Sequence, residues 1–178
     1  MRKLKNDELG RLDLTDYKAA EKHPIVIVLD NVRSMHNVGS AFRTADAFRV
    51  EKIFLCGITA TPPHRDIHKT ALGATESVEW EYIDKSLDVV DSLRQQKYSI
   101  QVVEQAEGST MLQDFIPEKD KKLAFFFGNE IHGVSQDIIE MADKVLEIPQ
   151  YGTKHSVNIS VSIGIVIWDV FTKMELYK

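Results

Sequence analysis

Three separated segments concentrate the residues whose types and spacing could do chemistry. They are Asn37-Val38-Gly39-Ser40-Ala41-Phe42-Arg43, then Phe127-Gly128-Asn129-Glu130, then Ile148-Pro149-Gln150-Tyr151-Gly152-Thr153-Lys154-His155-Ser156-Val157-Asn158. Each sets small or amide residues and a functional polar group at the end of an apolar, strand-like run, which is where open α/β sheets build ligand sites. Asn37 and Arg43 lie on one predicted helix, with Asn37 near its start. Arginine keeps its charge at any ordinary pH and offers a rigid fork of donors, so Arg43 is a fixed cation on that helix. Glu130 is the one acid of the second segment, and Gly128 beside it gives the backbone freedom to approach closely. Each residue alone also has a plainer reading. Asn37 caps or opens a helix, Arg43 makes a surface ion pair, Glu130 caps a turn, and Ser156 is the N-cap of the last helix. Three such segments in one chain weigh toward a site.

Other chemistries find no support. The dinucleotide fingerprint G-x-G-x-x-G, the phosphate loop G-x-x-x-x-G-K-[ST] and the hydrolase elbow G-x-S-x-G are missing. His64 and His68 have helical spacing but no third ligand, so no metal site is expected. The single Cys56 sits in an apolar run and reads as a buried, inert thiol.

The elements that must position these segments alternate. Ile25 to Leu29 is a continuous apolar run, as for a strand buried on both faces. Residues 37–48 follow as a helix with Val38, Ala41, Phe42 and Ala45 on one side, and Ile53 to Cys56 is the next strand. Residues 64–77 look irregular around Gly73, and Val78 to Tyr82 alternates like an edge strand. An amphipathic helix is predicted over 85–97, with strands at Ile100 to Val103, Leu123 to Phe127 and Lys144 to Ile148. A short helix capped by Ser135 covers 135–142, and an apolar helix runs from Val157 to Lys173. Repeated βα units predict an α/β fold with a mostly parallel sheet. Residues 1–22 read as a polar arm in which Asp16 caps a turn, and residues 23–178 as one domain.

The chain has 178 residues, enough for a full core, and 28% are charged, as in soluble globular proteins. No apolar run approaches the ~20 residues of a membrane span, and the charged N-terminus is unlike a signal peptide. With one cysteine, these features place the chain in the cytoplasm, away from membranes. The net charge of −5 argues mildly against a nucleic-acid partner. It does not exclude a local basic face, since Arg33, His36, Arg43, His64, Arg65, His68, Lys69, Lys154 and His155 all fall near predicted strand ends.

Taken together and in this order, the three segments resemble those of the SpoU (TrmH-like) family of RNA ribose 2′-O-methyltransferases, within the SPOUT superfamily. The resemblance runs from about Pro24 to the end. It implies helices on both faces of the sheet, a C-terminal deep trefoil knot, S-adenosyl-L-methionine as cofactor, RNA (tRNA or rRNA, not DNA) as partner, and a homodimer. It implies catalytic or substrate-orienting roles for Asn37, Arg43, Glu130, Ser156 and Asn158. Gly128, Ile148, Ser156 and Val157 would hold the cofactor, with Glu104 and Gln105 as further pocket residues. Gln150 stands where many members carry methionine. The reaction implied is displacement of the cofactor methyl by a ribose 2′-oxygen, for which alignment and easier deprotonation are the protein's tasks. With no extra N-terminal RNA-binding domain before the first strand, tRNA is favoured over rRNA. A knotted cofactor- and RNA-binding protein without catalysis, a base methyltransferase, and a generic α/β small-molecule enzyme with no RNA affinity are the rival readings.

Overall fold

Alternation along the strands sets the architecture. The computed structural model describes residues 1–177, with every side chain among them except that of Asn6. Its strands are β1 (His23–Asp30), β2 (Val50–Cys56), β3 (Trp80–Ile83), β4 (Tyr98–Val103), β5 (Thr110–Met111), β6 (Lys122–Phe127) and β7 (Lys144–Glu147). The helices are α1 (Leu14–Ala19), α2 (Met35–Ala47), α3 (Arg65–Ala71), α4 (Ala74–Ser77), α5 (Ser86–Gln95), α6 (Gln136–Met141) and α7 (Ile159–Lys173). All strand pairs are parallel, in one sheet of order β3-β2-β1-β6-β4-β7-β5.

Successive residues of a strand point to opposite faces. Ile25, Ile27 and Leu29 of β1 and Phe125 and Phe127 of β6 therefore join one core with α2, α3 and α7. Val26, Val28, Ala124 and Phe126 join the other with α5 and α6. Both cores exclude water, which is why the central strands are mostly apolar on both faces, with Asp30, Ser99 and Gln101 as buried polar exceptions. Burial pushes the Cys56 thiol up to about 12, so it stays protonated and inert.

The strand order reverses at β1. The chain first builds outward through β2 and β3, then crosses to place β4 on the far side. The slot left between β1 and β4 is filled later by β6, and the slot between β4 and β5 by β7. A reversal of this kind opens a crevice at the C-terminal strand ends.

Several local expectations differ from what the chain does. Residues 64–77, expected to be irregular, hold α3 and α4, with Gly73 only separating them. The N-cap of α2 is Ser34, whose hydroxyl accepts the Asn37 amide at 3.3 Å, and Asn37 takes the second of the two places expected for it, in the first turn. Asp13, not Asp16, caps α1. Helix α7 begins at Ile159 because the Asn158 side chain caps it at Ser160, leaving Ser156 outside the helix. Within the expected polar arm, Tyr17 is buried in the main core.

Gly39 explains how α3 reaches α2. A Cβ there would lie 2.1 Å from the Thr70 hydroxyl and 2.3 Å from the Ile67 carbonyl oxygen. We expect Gly39→Ala to cost about 1–3 kcal/mol through forced separation of the two helices, measured by urea unfolding. An unchanged midpoint would contradict this packing.

Candidate functional site

Strands β1, β6, β4 and β7 end at one level. Leu29 pairs with Phe127, Phe127 with Val103, and Val103 with Leu146. The chain segments leaving these ends meet above the sheet, and Glu130 ties two of them together. One carboxylate oxygen accepts the Arg33 amide at 2.9 Å, and the other accepts the Ser34 amide at 3.0 Å and the Asn37 side-chain amide at 3.1 Å. A helix start leaves unpaired N–H groups and a partial positive charge, both of which favour a carboxylate. Burial works to raise the Glu130 pKa, but hydrogen bonds from the Arg33 amide, its own amide, Ser34 and Asn37 outweigh it. The carboxyl is held below its ordinary value.

The turn carrying Glu130 is itself pinned. Asn129 and Gly133 exchange backbone hydrogen bonds at 3.0 and 2.9 Å. The Asn129 side chain donates to the Asn31 carbonyl at 2.8 Å and accepts the Ile131 and His132 amides. Glu104, at the end of β4, accepts the Val134 amide at 3.1 Å. Gly128 has to be glycine here: a Cβ would lie 2.1 Å from the Gly133 carbonyl carbon. From the other side, the Gln105 side chain donates to the His155 carbonyl at 2.6 Å and latches the 148–158 segment to β4.

Between these segments lies a cavity of about 420 Å³, within the range of small-ligand sites. The structure brings Glu104, Gln105, Gly128, Glu130, Ile148, Ser156, Val157 and Asn158 to its wall. Asn158 spends its side-chain oxygen on Ser160, accepting both the amide and the hydroxyl. Asn37 is buried just outside the wall and reaches it only through Glu130. Arg43 is not brought to the cavity of its own chain. It is exposed on α2, and none of the described residues pairs with it. Two residues given no role from the sequence matter: Asn129, which organises the turn, and Gln150, which lines the cavity. Asn129 stands inside the second segment, so its neighbours were the available signal. Among the described residues no cluster of three or more His, Cys, Asp or Glu could hold a metal, and no helix is long and apolar enough to cross a membrane.

A wholly parallel α/β sheet with a cavity at the C-terminal ends of its strands defines a class of proteins that bind small ligands there. Within that class the chain belongs to the SpoU rRNA Methylase family, whose sequence model matches residues 24–168. The chain is 31% identical over 153 residues to a tRNA (guanosine(18)-2′-O)-methyltransferase of Aquifex aeolicus, covering 85% of this chain and 70% of that one. It is 28% identical over 156 residues to a protein of Staphylococcus saprophyticus assigned to the TrmH family of tRNA/rRNA methyltransferases. That match covers 88% of this chain but spans only 61% of the relative. In fold it matches the crystal structure of the A. aeolicus TrmH/SpoU tRNA modifying enzyme at a TM-score of 0.81, with 24% identity, covering 92% of this chain and 83% of that one. It also matches the SpoU methyltransferase AviRb of Streptomyces viridochromogenes, solved with AdoMet, at a TM-score of 0.78, with 17% identity, covering 92% and 65%.

The depressed Glu130 pKa has a testable sign. A carboxyl whose folded-state pKa is lowered stabilises fully above its unfolded value, about 4.3 for glutamate. That contribution is lost as pH falls through the folded value. Glu130→Gln is therefore expected to lower the urea midpoint at neutral pH, with the gap to the unaltered protein narrowing below about pH 4. A gap independent of pH would show that the charge plays no part.

Proposed function

We propose that the chain is an S-adenosyl-L-methionine-dependent RNA methyltransferase acting on a ribose 2′-OH, with tRNA favoured over rRNA. One observation carries the reading: Glu130 fastens the first-segment helix to the wall of a cavity built from the second and third segments. The tRNA preference rests on the Aquifex relative's name. In this proposal residues 23–178 form the catalytic domain and residues 1–22 an arm docked through Tyr17, acting in the cytoplasm. The late insertion of β6 and β7 between earlier strands supports the trefoil knot that the resemblance implies.

The cavity suits the cofactor. Its wall carries Glu104 and Glu130 but no lysine or arginine, as a positively charged sulfur requires, and Val103, Phe127, Ile148 and Val157 offer apolar contact for an adenine. Gly128, Ile148, Ser156 and Val157 would hold it, with Glu104 and Gln105 closing one side. When bound, S-adenosylmethionine supplies an electrophilic methyl group. The chain's own residues supply alignment: Glu130 fixes Asn37 and the start of α2, and Ser156 and Asn158 orient the incoming ribose. Arg43 binds the neighbouring phosphate and stabilises the oxygen as its proton leaves.

Arg43 lies outside its own cavity, so it would meet the cavity of a second copy. Helix α7 supports such a homodimer, exposing Val161, Ile165 and Trp168 at helical spacing beside Phe48 and Phe171. Arg43→Ala should reduce methyl transfer to unmodified RNA by about 10²–10³-fold and leave cofactor affinity unchanged. Mixing Arg43→Ala with Asn158→Ala chains should restore transfer, because each mixed dimer has one intact site. No restoration would show that Arg43 does not act across a dimer, and turnover by Arg43→Ala at the unaltered rate would remove it from the mechanism.

A further inference from the structure

A second cavity, of about 470 Å³, opens on the far side of α3, lined by His64, Arg65, His68, Glu76 and the half-buried Trp80. Nothing in the proposed reaction uses it. We infer that it is a subsite for one nucleotide of the RNA flanking the methylated position, its base stacked on Trp80 and its phosphate held by Arg65 and the two histidines. The inference rests on RNA being the substrate.

Five observations point to this occupant. Trp80, on the edge strand β3, packs partly against the main core and lines the cavity with the rest of its indole, and bases stack on such aromatic side chains whatever their sequence. His64, the N-cap of α3, and Arg65 and His68 on the helix all line the cavity, Arg65 and His68 at the i,i+3 spacing of one helix face. The His64 Nδ1 accepts the Asp66 amide at 3.1 Å, which leaves Nε2 as the donor toward the cavity. Asp66, the acid on that helix, pairs with Lys69 at 2.6 Å, so the fixed charge left on α3 is that of Arg65. Glu76 on the rim is an acceptor suited to a base amino group, not to a phosphate. This mixed lining fits a nucleotide better than a bare anion.

Position decides between RNA and a free nucleotide. Helices α2 and α3 are in contact through Gly39, and the Thr70 hydroxyl donates to the His36 carbonyl at 3.0 Å. Exposed Arg33 and His36 therefore connect the Glu130–Asn37 junction to Arg65 and His68 across one helix packing, about 8–10 Å. On a chain of net charge −5, this is a local basic track leading from one cavity to the other.

The test uses unmodified tRNA and rRNA transcripts with the full chain. Trp80 and Trp168 are the two tryptophans, so in Trp168→Phe the remaining emission reports Trp80. RNA should quench that emission. The surface double variant Arg65→Ala/His68→Ala and, separately, Trp80→Leu should each weaken RNA binding by about 5- to 100-fold, with cofactor affinity unchanged. If the unaltered chain methylates RNA while the double variant binds it equally well and Trp80 emission does not respond, the subsite is overturned and the function stands. If the unaltered chain neither binds nor methylates RNA, both fail.

Discussion

The Glu130 carboxylate lies 97 residues along the chain from Arg33, yet it takes hydrogen bonds from the Arg33 and Ser34 amides that lead into α2 and from the Asn37 side chain in its first turn. The rest of the site depends on that one reach. It couples a helix that follows β1 to a turn that follows β6, two strands adjacent in the sheet but far apart in sequence. Electrostatics make the union specific. Unpaired amides at a helix start and a carboxylate are complementary, and neither is satisfied as well by water once the turn is packed. Asn37 is then held with its backbone in the helix and its side chain on Glu130, so a single charge fixes both position and orientation.

The sheet supplies the second constraint. Because β6 and β7 lie between strands that precede them in the sequence, the segments that leave them emerge beside the end of β4. The cavity is a product of that order: Glu104 holds the Val134 amide and Gln105 holds the His155 carbonyl. These two side chains act as clamps on either loop. Their placement suggests that they shape the cavity as much as they line it.

Much of this was legible in the residues. Uninterrupted apolar runs such as Ile25 to Leu29 mark strands with both faces covered, and the parallel sheet follows from them. The cavity wall was legible too, since Gly128, Glu130, Ile148 and Ser156 sit just beyond apolar runs. What escaped depended on contacts distant in sequence or on competing caps. Helix α3 is short and polar on its outer face, and its stability comes from Ile67 and Ala71 packing over Gly39, which periodicity cannot show. Ser156 is a good cap by type, but Asn158 captured the Ser160 amide first, freeing Ser156 for the cavity. The separation of Arg43 from the cavity was likewise invisible, because spacing on a helix does not reveal which neighbour faces it.

The identity of the methylated atom tests the account most directly. Labelled methyl would be transferred from S-adenosylmethionine to unmodified RNA and the product digested to nucleosides. The arrangement of Asn37, Glu130, Ser156 and Asn158 predicts a single 2′-O-methylnucleoside in one RNA size class. A base-methylated nucleoside, or cofactor binding with no transfer to any RNA, would contradict it.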